Sequence, residues 1–223
     1  MPDPVERREV AVGSTRASYL HAGSGAPILL LHGTFWSRVW EPVLADLAAA
    51  GREVFAPDFP GFGASGGRLA HEDATIPSLA AWAERFRDPS VADAVTVEEL
   101  LSARAQSLDK AIARPLDVAE RDAWLAPWRD EDRVRSWTAM AGAADSRYTL
   151  ELMDRLRDRA LPTLLVWGEQ DAFQPIAFSE RYAAEVPGAR LVAIPGARHI
   201  PTVDEPRLVA GALAGFLAGP GVP

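Results

Sequence analysis

The sequence contains no cysteine, and this absence removes several kinds of chemistry at once. No disulfide bond can form, and no zinc or iron–sulfur site can be built on thiolates. The four histidines are scattered without the spacing of metal ligands, and no glycine-rich turn joins a strand to a helix as in a phosphate-binding loop. We therefore expect no metal and no cofactor, and the lack of cysteine is typical of a cytoplasmic protein.

Long apolar runs and an excess of positive charge are absent as well. No run approaches the length of about 18 residues that a membrane-spanning helix needs, and residues 1–8 lack the apolar core of a signal peptide. The formal net charge is −8, so the phosphates of a nucleic acid would be repelled. The sequence therefore predicts no membrane partner and no nucleic acid, and it leaves a small molecule as the expected substrate or ligand.

The pattern of apolar segments predicts one α/β domain in 223 residues. Residues 9–12 and 17–20 are expected to pair as a hairpin, and Ile28–Leu31 is a continuous apolar run of the kind found in buried parallel strands. A long helical stretch follows, and strands return at residues 163–167 and 190–194. This order predicts a mostly parallel sheet with flanking helices.

Polar groups that could do chemistry follow the predicted strands directly. The motif HGT at residues 32–34 follows the first apolar strand, and DFPGFGAS at residues 58–65 follows the next one. Near the end of the chain, WGEQD at residues 167–171 and GARH at residues 196–199 follow the last two strands. The carboxyl ends of strands are where parallel α/β sheets form their sites, so these motifs are the candidates for function.

The four motifs, in this order, resemble those of the α/β-hydrolase superfamily, especially its capped esterases, epoxide hydrolases and haloalkane dehalogenases. The resemblance implies that His199 is the catalytic base and that Asp171 orients it and stabilises its protonated form. It also implies that the backbone N–H groups of Thr34 and Phe35 form an oxyanion hole.

The same resemblance implies a domain organisation. Residues 1–88 and 161–223 would form the two parts of the α/β-hydrolase core, and residues 89–160 would form a helical cap. Trp36 and Trp137 would then line a substrate pocket beneath that cap. The alternative is that these tryptophans pack helices onto the sheet, because aromatic side chains dominate protein cores.

The sequence departs from the family where the nucleophile should be. After a helix at residues 78–86, such proteins continue with a strand and a nucleophile elbow, Gly-x-Ser-x-Gly or a version with Asp, whereas this chain passes directly into cap-like sequence. Residues 63–67 (GASGG) match the expression, but the prolines at 57 and 60 break the strand that an elbow needs, so Ser65 is not expected to be the nucleophile. The nucleophile is therefore unknown, and the central sheet is predicted to be reduced by two strands.

The remaining histidines and the acid also have simple structural interpretations. His32 is expected to be structural, and His21 and His71, which have no partner pattern, are expected to be exposed. Asp171 could serve only as an acid at a helix N-terminus ahead of Pro175, where the helix dipole favours a negative charge.

Two functions remain open from the sequence. The first is hydrolysis of a small ester, epoxide or carbon–halogen substrate by nucleophile–histidine–aspartate chemistry. The second is a non-catalytic remnant of the family that binds a ligand or is inert, because a histidine–acid pair without a nucleophile loses the covalent route. If Ile28–Leu31 does not pair with Thr163–Trp167, it leaves a central edge exposed, and self-association is then expected.

Overall fold

The computed structural model describes residues 4–12, 15–67, 94–143, 154, 157–159 and 161–219. Its strands are β1 (Glu6–Val12), β2 (Thr15–Ala22), β3 (Ala26–Leu29), β4 (Arg52–Pro57), β5 (Thr163–Gly168) and β6 (Ala189–Ile194). Its helices are α1 (Glu41–Ala49), α2 (Val97–Ala111), α3 (Val118–Leu125), α4 (Glu131–Ala143), α5 (Ala177–Glu185), α6 (Pro201–Asp204) and α7 (Pro206–Leu217). Short 3-10 helices cover Ser37–Trp40 and Ala126–Arg129. The helix predicted at residues 78–86 and His71 lie outside the described residues.

The first sheet has the strand order β1-β2-β4-β3. The predicted hairpin is present, because β1 and β2 pair antiparallel from Glu6 opposite His21 to Val12 opposite Thr15. Strand β4 lies antiparallel to β2 and parallel to β3. The parallel pair sends the ends of β3 and β4 to the same edge of the sheet, where the loops that carry residues 32–35 and 58–65 begin.

The second sheet consists of β5 and β6, which run parallel over six residue pairs from Thr163–Ala189 to Gly168–Ile194. Helices α1 and α7 connect this sheet to the first one by packing. Val43, Leu44 and Leu47 of α1 are fully buried in a cluster that also contains Val209 of α7 and Ile194 of β6.

Two adjacent apolar residues of α7 differ in burial. Half of the surface of Leu208 is exposed, whereas its neighbour Val209 is buried. A surface helix buries only one face along its length, so of these two adjacent apolar residues only Val209 faces α1.

Between the two sheets the described strands do not pair. Among the described residues, β3 pairs only with β4, and β5 pairs only with β6. Strand β3 ends at Leu29 and not at Leu31 as predicted, and Leu29 and Leu31 are 63% and 53% exposed. This strand was expected either to pair with Thr163–Trp167 or to leave an exposed edge, and the described residues show the exposed edge.

Helices α2, α3 and α4 form a layer over the loops that follow the strands. Helix α2 begins at a capping box, in which the Thr96 hydroxyl accepts from the Glu99 N–H and the Glu99 carboxylate accepts from the Thr96 N–H. The large side chains of this layer pack onto the loops after β3 and β4: Trp128 and Trp137 on Phe62, and Trp124 on Phe35 and Trp36. Within the residues described, no helix has the length and hydropathy that a membrane span requires.

Candidate active site

The loops after β5 and β6 bring His199 and Asp171 together. Their side chains meet with 2.8 Å between His199 Nδ1 and Asp171 Oδ2. Gly168, at the end of β5, permits this approach, because a Cβ atom there would lie 2.0 Å from the backbone oxygen of Arg198. A further backbone bond, from Gln170 N–H to Ala197 O at 2.9 Å, ties the two loops side by side.

The Asp171 carboxylate is held by three hydrogen bonds. Oδ2 accepts from His199, and Oδ1 accepts from the N–H groups of Phe173 and Gln174 at 2.8 and 3.0 Å. Burial by itself raises the pKa of Asp171, but the hydrogen bonds from His199, Gln174 and Phe173 outweigh it, and the pKa lies below its ordinary value. Asp171 therefore stays ionised at neutral pH while it also caps the turn that leads towards α5.

The ionised partner fixes the tautomer of His199. A carboxylate can only accept hydrogen bonds, so the proton of a neutral His199 sits on Nδ1 and the lone pair on Nε2. The ring of Phe173 meets the imidazole edge-on, with 5.1 Å between ring centroids, and limits its rotation. This is the orientation in which a histidine can accept a proton at Nε2.

The turn after β3 supplies candidate oxyanion donors. Gly33 is exposed, Thr34 is half-buried and Phe35 is buried. In the part of the chain that the structure describes, the N–H groups of Thr34 and Phe35 donate no hydrogen bond. They are therefore free to bind an oxygen that carries negative charge.

A cavity of about 430 Å³ contains both parts of this site. It lies between the turn after β3 and the edge of β5 that pairs with no described strand, and its described polar side chains are His199, Thr34, Thr202 and the indoles of Trp40 and Trp167. The Thr202 hydroxyl and the Trp167 N–H are already engaged with backbone oxygens. The full lining comprises Gly33, Thr34, Phe35, Val39, Trp40, Leu164, Leu165, Val166, Trp167, His199, Ile200, Pro201, Thr202, Val209 and Leu213.

The two predicted pocket tryptophans do not line this cavity. Trp36 and Trp137 are buried in the clusters beneath the helical layer, and Trp36 lies 5.6 Å under the Arg7 guanidinium. Their role in a substrate pocket therefore stays a prediction, and packing accounts for the contacts that the structure shows.

His32 is placed as a structural residue. Its Nε2 accepts from the Phe59 N–H at 3.0 Å, and its Nδ1 donates to Gly33 O at 2.9 Å. Burial lowers the pKa of His32, although the Gly33 carbonyl and Asp58 act in the opposite direction. A neutral His32 thus joins the loops after β3 and β4. The expectation that His21 is exposed was wrong, because it is 7% exposed and bonds Glu53 at 3.1 Å across the sheet.

Ser65 is also engaged in structure. Its side chain is fully buried, and its hydroxyl accepts from Ser18 N–H at 2.8 Å and donates to Asp58 O at 2.7 Å. The Asp58 carboxylate, buried beside it, accepts from Arg7 and from the N–H groups of Ser37 and Ala64. The GASGG segment therefore stabilises the loop after β4, and Ser65 does not line the cavity.

One polar residue close to the turn of Gly33, Thr34 and Phe35 was not singled out from the sequence. Arg104 of α2 is 5% exposed and donates from Nη2 to Thr34 O at 3.1 Å. A signal did exist, because Arg104 lies four residues from both Leu100 and Leu108, in the middle of the buried stripe of α2. An arginine at this position must bury its charged guanidinium in the protein interior.

No cluster of three or more histidine, aspartate or glutamate side chains with the arrangement of metal ligands occurs among the described residues. The described residues of the site offer a histidine held by a carboxylate, two backbone N–H groups without a described acceptor and an apolar cavity.

Comparisons with known proteins relate the chain to the α/β hydrolase fold. The α/β hydrolase fold family matches residues 26–97. A haloalkane dehalogenase from Psychrobacter cryohalolentis is 37% identical over 76 residues, but the match covers only 33% of this chain and 25% of that relative. Haloalkane dehalogenase 2 from Mycobacterium tuberculosis is 26% identical over 272 residues, which covers 94% of each chain. Because that alignment is longer than 223 residues, the relative contains a segment without a counterpart here.

Solved structures agree on the fold. A loop variant of a haloalkane dehalogenase from Bradyrhizobium elkanii matches with a TM-score of 0.74 at 18% identity and covers 97% of both chains. An epoxide hydrolase from Acinetobacter nosocomialis matches with a TM-score of 0.74 at 14% identity and covers 96% of this chain and 89% of its own. The chain has the α/β-hydrolase fold, and the predicted fold class is confirmed.

Proposed function

We propose that this chain hydrolyses small, mainly apolar molecules and that the pair His199–Asp171 acts as its general base. One observation carries the proposal: His199, held by Asp171 at 2.8 Å, lines the same apolar cavity as the turn formed by Gly33, Thr34 and Phe35. A base and oxyanion donors that face one cavity are the two parts that acyl transfer requires.

The side chains of the cavity favour water as the attacking group. Among the residues that the structure describes, no serine, aspartate or glutamate side chain lines it. In the proposed reaction, water forms a bond to the carbonyl carbon of an ester while His199 Nε2 takes its proton. The carbonyl oxygen gains negative charge and is stabilised by the N–H groups of Thr34 and Phe35. When the carbon–oxygen bond of the leaving alcohol breaks, the imidazolium returns the proton to that oxygen.

The names of the similar proteins extend the candidate substrates to epoxides and haloalkanes. In both cases water would attack carbon, and the displaced oxygen or halide would take the negative charge. The residues of the cavity favour a compact apolar substrate, because its walls are mostly leucine, isoleucine, valine and tryptophan side chains.

The test is turnover of a short-chain nitrophenyl ester by the purified chain and by His199→Ala. General-base catalysis contributes about 10²- to 10⁴-fold, so the variant should lose most of kcat. A matched control is His21→Gln, since His21 also bonds a carboxylate but does not line the cavity. Equal activity of His199→Ala and the parent chain would refute the role of His199. A burst of one nitrophenolate per chain would indicate a covalent intermediate and refute direct attack by water.

A second candidate is a non-catalytic protein that binds a small apolar ligand. It is supported by the same absence of serine, aspartate and glutamate side chains from the described part of the cavity lining. Titration with a haloalkane, followed by the fluorescence of the chain, would detect binding, because Trp40 and Trp167 line the cavity. Saturable quenching together with no turnover of esters, epoxides or haloalkanes would favour this second function.

Two further expectations accompany the proposal. Residues 89–160 would act as a cap over the site, which is supported by the packing of α2 and α3 onto Phe35 and Trp36. A cytoplasmic location is supported by the absence of cysteine.

A further inference from the structure

Arg104 is a buried cation without a carboxylate partner among the described residues. Its side chain extends from the middle of α2 and is 5% exposed, yet every described ion pair of the chain involves other residues. Its Nε–H group is buried and makes no hydrogen bond. Burial lowers the pKa of Arg104 to about 9, so the guanidinium still carries its charge at neutral pH.

Among the described residues, three aromatic rings and no carboxylate contact the Arg104 guanidinium. The guanidinium carbon lies 4.1 Å from the ring centroid of Phe35, 5.0 Å from that of Trp128 and 5.8 Å from that of Trp137. Cation–π contacts of this kind are weaker than an ion pair, so an apolar residue would fill the site at lower cost in free energy. A buried charge that stability does not require indicates a function.

The hydrogen bond of Arg104 goes to the peptide that carries a candidate oxyanion donor. Nη2 donates to Thr34 O at 3.1 Å, and the N–H of the same peptide unit belongs to Phe35. In a trans peptide the C=O and N–H groups point in opposite directions, so a carbonyl held towards α2 directs the Phe35 N–H away from it. A cation on the carbonyl also polarises the peptide and makes its N–H a stronger donor.

We propose that Arg104 is a positioning residue that fixes and polarises the Thr34–Phe35 peptide, so that the Phe35 N–H can stabilise negative charge on the substrate. This inference rests on the proposed function of the cavity. The same guanidinium contacts both residues of this peptide, since it bonds the Thr34 carbonyl and stacks on the Phe35 ring. It thereby couples the helical layer to the oxyanion turn.

The experiment compares the full chain with Arg104→Met, Arg104→Lys and the control Arg121→Met. Methionine keeps an unbranched apolar side chain but removes the charge and the donors. Lysine keeps the charge and a donor but not the planar group that stacks on Phe35. Arg121 bonds Asp109 between α2 and α3 at the surface and does not contact the turn.

For Arg104→Met we expect kcat for the nitrophenyl ester to fall about 10- to 100-fold with little change in KM. The urea midpoint of unfolding should stay the same or rise. Arg104→Lys should recover part of kcat, and Arg121→Met should match the parent chain. A merely structural arginine would instead lower the urea midpoint and leave kcat of the folded fraction unchanged, which would overturn the proposal.

A second readout does not depend on activity. In ¹⁵N relaxation measurements, the Phe35 N–H should have an order parameter near that of rigid backbone, about 0.85, and a lower value in Arg104→Met. An order parameter and amide shift of Phe35 that stay unchanged in Arg104→Met would overturn the inference. If the parent chain shows no turnover but the Phe35 signal responds as expected, the proposed hydrolase function fails while the positioning of the turn by Arg104 stands.

Discussion

Replacing Asp171 by asparagine should change the tautomer of His199 and thereby remove its capacity to act as a base. In the parent chain the carboxylate accepts three hydrogen bonds, two of them from the N–H groups of Phe173 and Gln174. The single carbonyl oxygen of an asparagine can keep those two bonds. Its NH₂ group then faces His199 Nδ1, which must accept and so must lose its proton to Nε2.

The expected changes in kcat and in the free energy of unfolding can be estimated from the interactions that Asp171→Asn alters. A histidine protonated on Nε2 cannot take a proton from water there, so kcat should fall about 10²- to 10⁴-fold, as for loss of the base itself. Asp171 is 5% exposed on its side chain, and hydrogen bonds to a charged group contribute about 1.5–3 kcal/mol each. In Asp171→Asn a neutral hydrogen bond of about 0.5–1.5 kcal/mol replaces the charged bond to His199, so the free energy of unfolding should fall by about 1–1.5 kcal/mol and the chain should remain folded.

The assay is a two-dimensional ¹H–¹⁵N spectrum of the imidazole nitrogens in chain labelled on histidine. Four histidines give few signals, and His199→Gln identifies the one in question. In its neutral form, His199 should carry the proton on Nδ1 in the parent chain and on Nε2 in Asp171→Asn. The reasoning is refuted if His199 has its proton on Nε2 in the parent chain, or if the substitution leaves the tautomer unchanged.

Three further outcomes are expected. Because hydrogen bonds hold the pKa of Asp171 below its ordinary value, its carboxylate stabilises the fold above the unfolded-state pKa of about 3.9, and this contribution is lost as the pH falls through the folded-state pKa. In urea titrations at decreasing pH, Asp171→Asn should therefore lose less stability than the parent chain, and parallel curves would contradict this. Gly63→Ala should lower the free energy of unfolding by about 1–3 kcal/mol, because Gly63 has φ +51° and an added Cβ would lie 2.4 Å from a buried carboxyl group; Gly215→Ala, in the open face of α7, is the control and should be neutral or stabilising. Leu31→Lys should reduce self-association in sedimentation experiments, since Leu31 is 53% exposed beside an unpaired strand edge, whereas Val118→Lys, at an exposed helix position, should not; a parent chain that is monomeric at all concentrations would count against association through this edge.

Part of the site could be predicted from the sequence because its residues are local to strand ends. The segments ending in Asp171 and His199 each follow a short apolar strand, and parallel strands bring their carboxyl ends to one edge. Thr34 and Phe35 follow β3 in the same way. These positions need only the strand order, which the apolar runs and the motif order indicate.

Other features could not be predicted because they depend on which side of an element meets a neighbour. The burial of His21 results from strands β1 and β4 on either side of β2, and its contact with Glu53 crosses the sheet. The exposure of Leu208 follows from the rotation of α7 against α1. The local sequence shows which residues are apolar, but it does not show which side of a strand or helix another element will cover.

The sequence by itself determined the fold class, the hairpin, the order of the motifs and the pairing of a histidine with an acid, because each of these depends on short segments with a fixed backbone geometry. Only the tertiary structure decided that β3 and β5 do not pair with each other among the described residues and that the space between them forms a cavity. It alone brought Arg104, on a helix 70 residues away in sequence, onto the carbonyl of Thr34. Contacts of that kind result from the packing of a helical layer on a sheet edge, and no local pattern of residues specifies them.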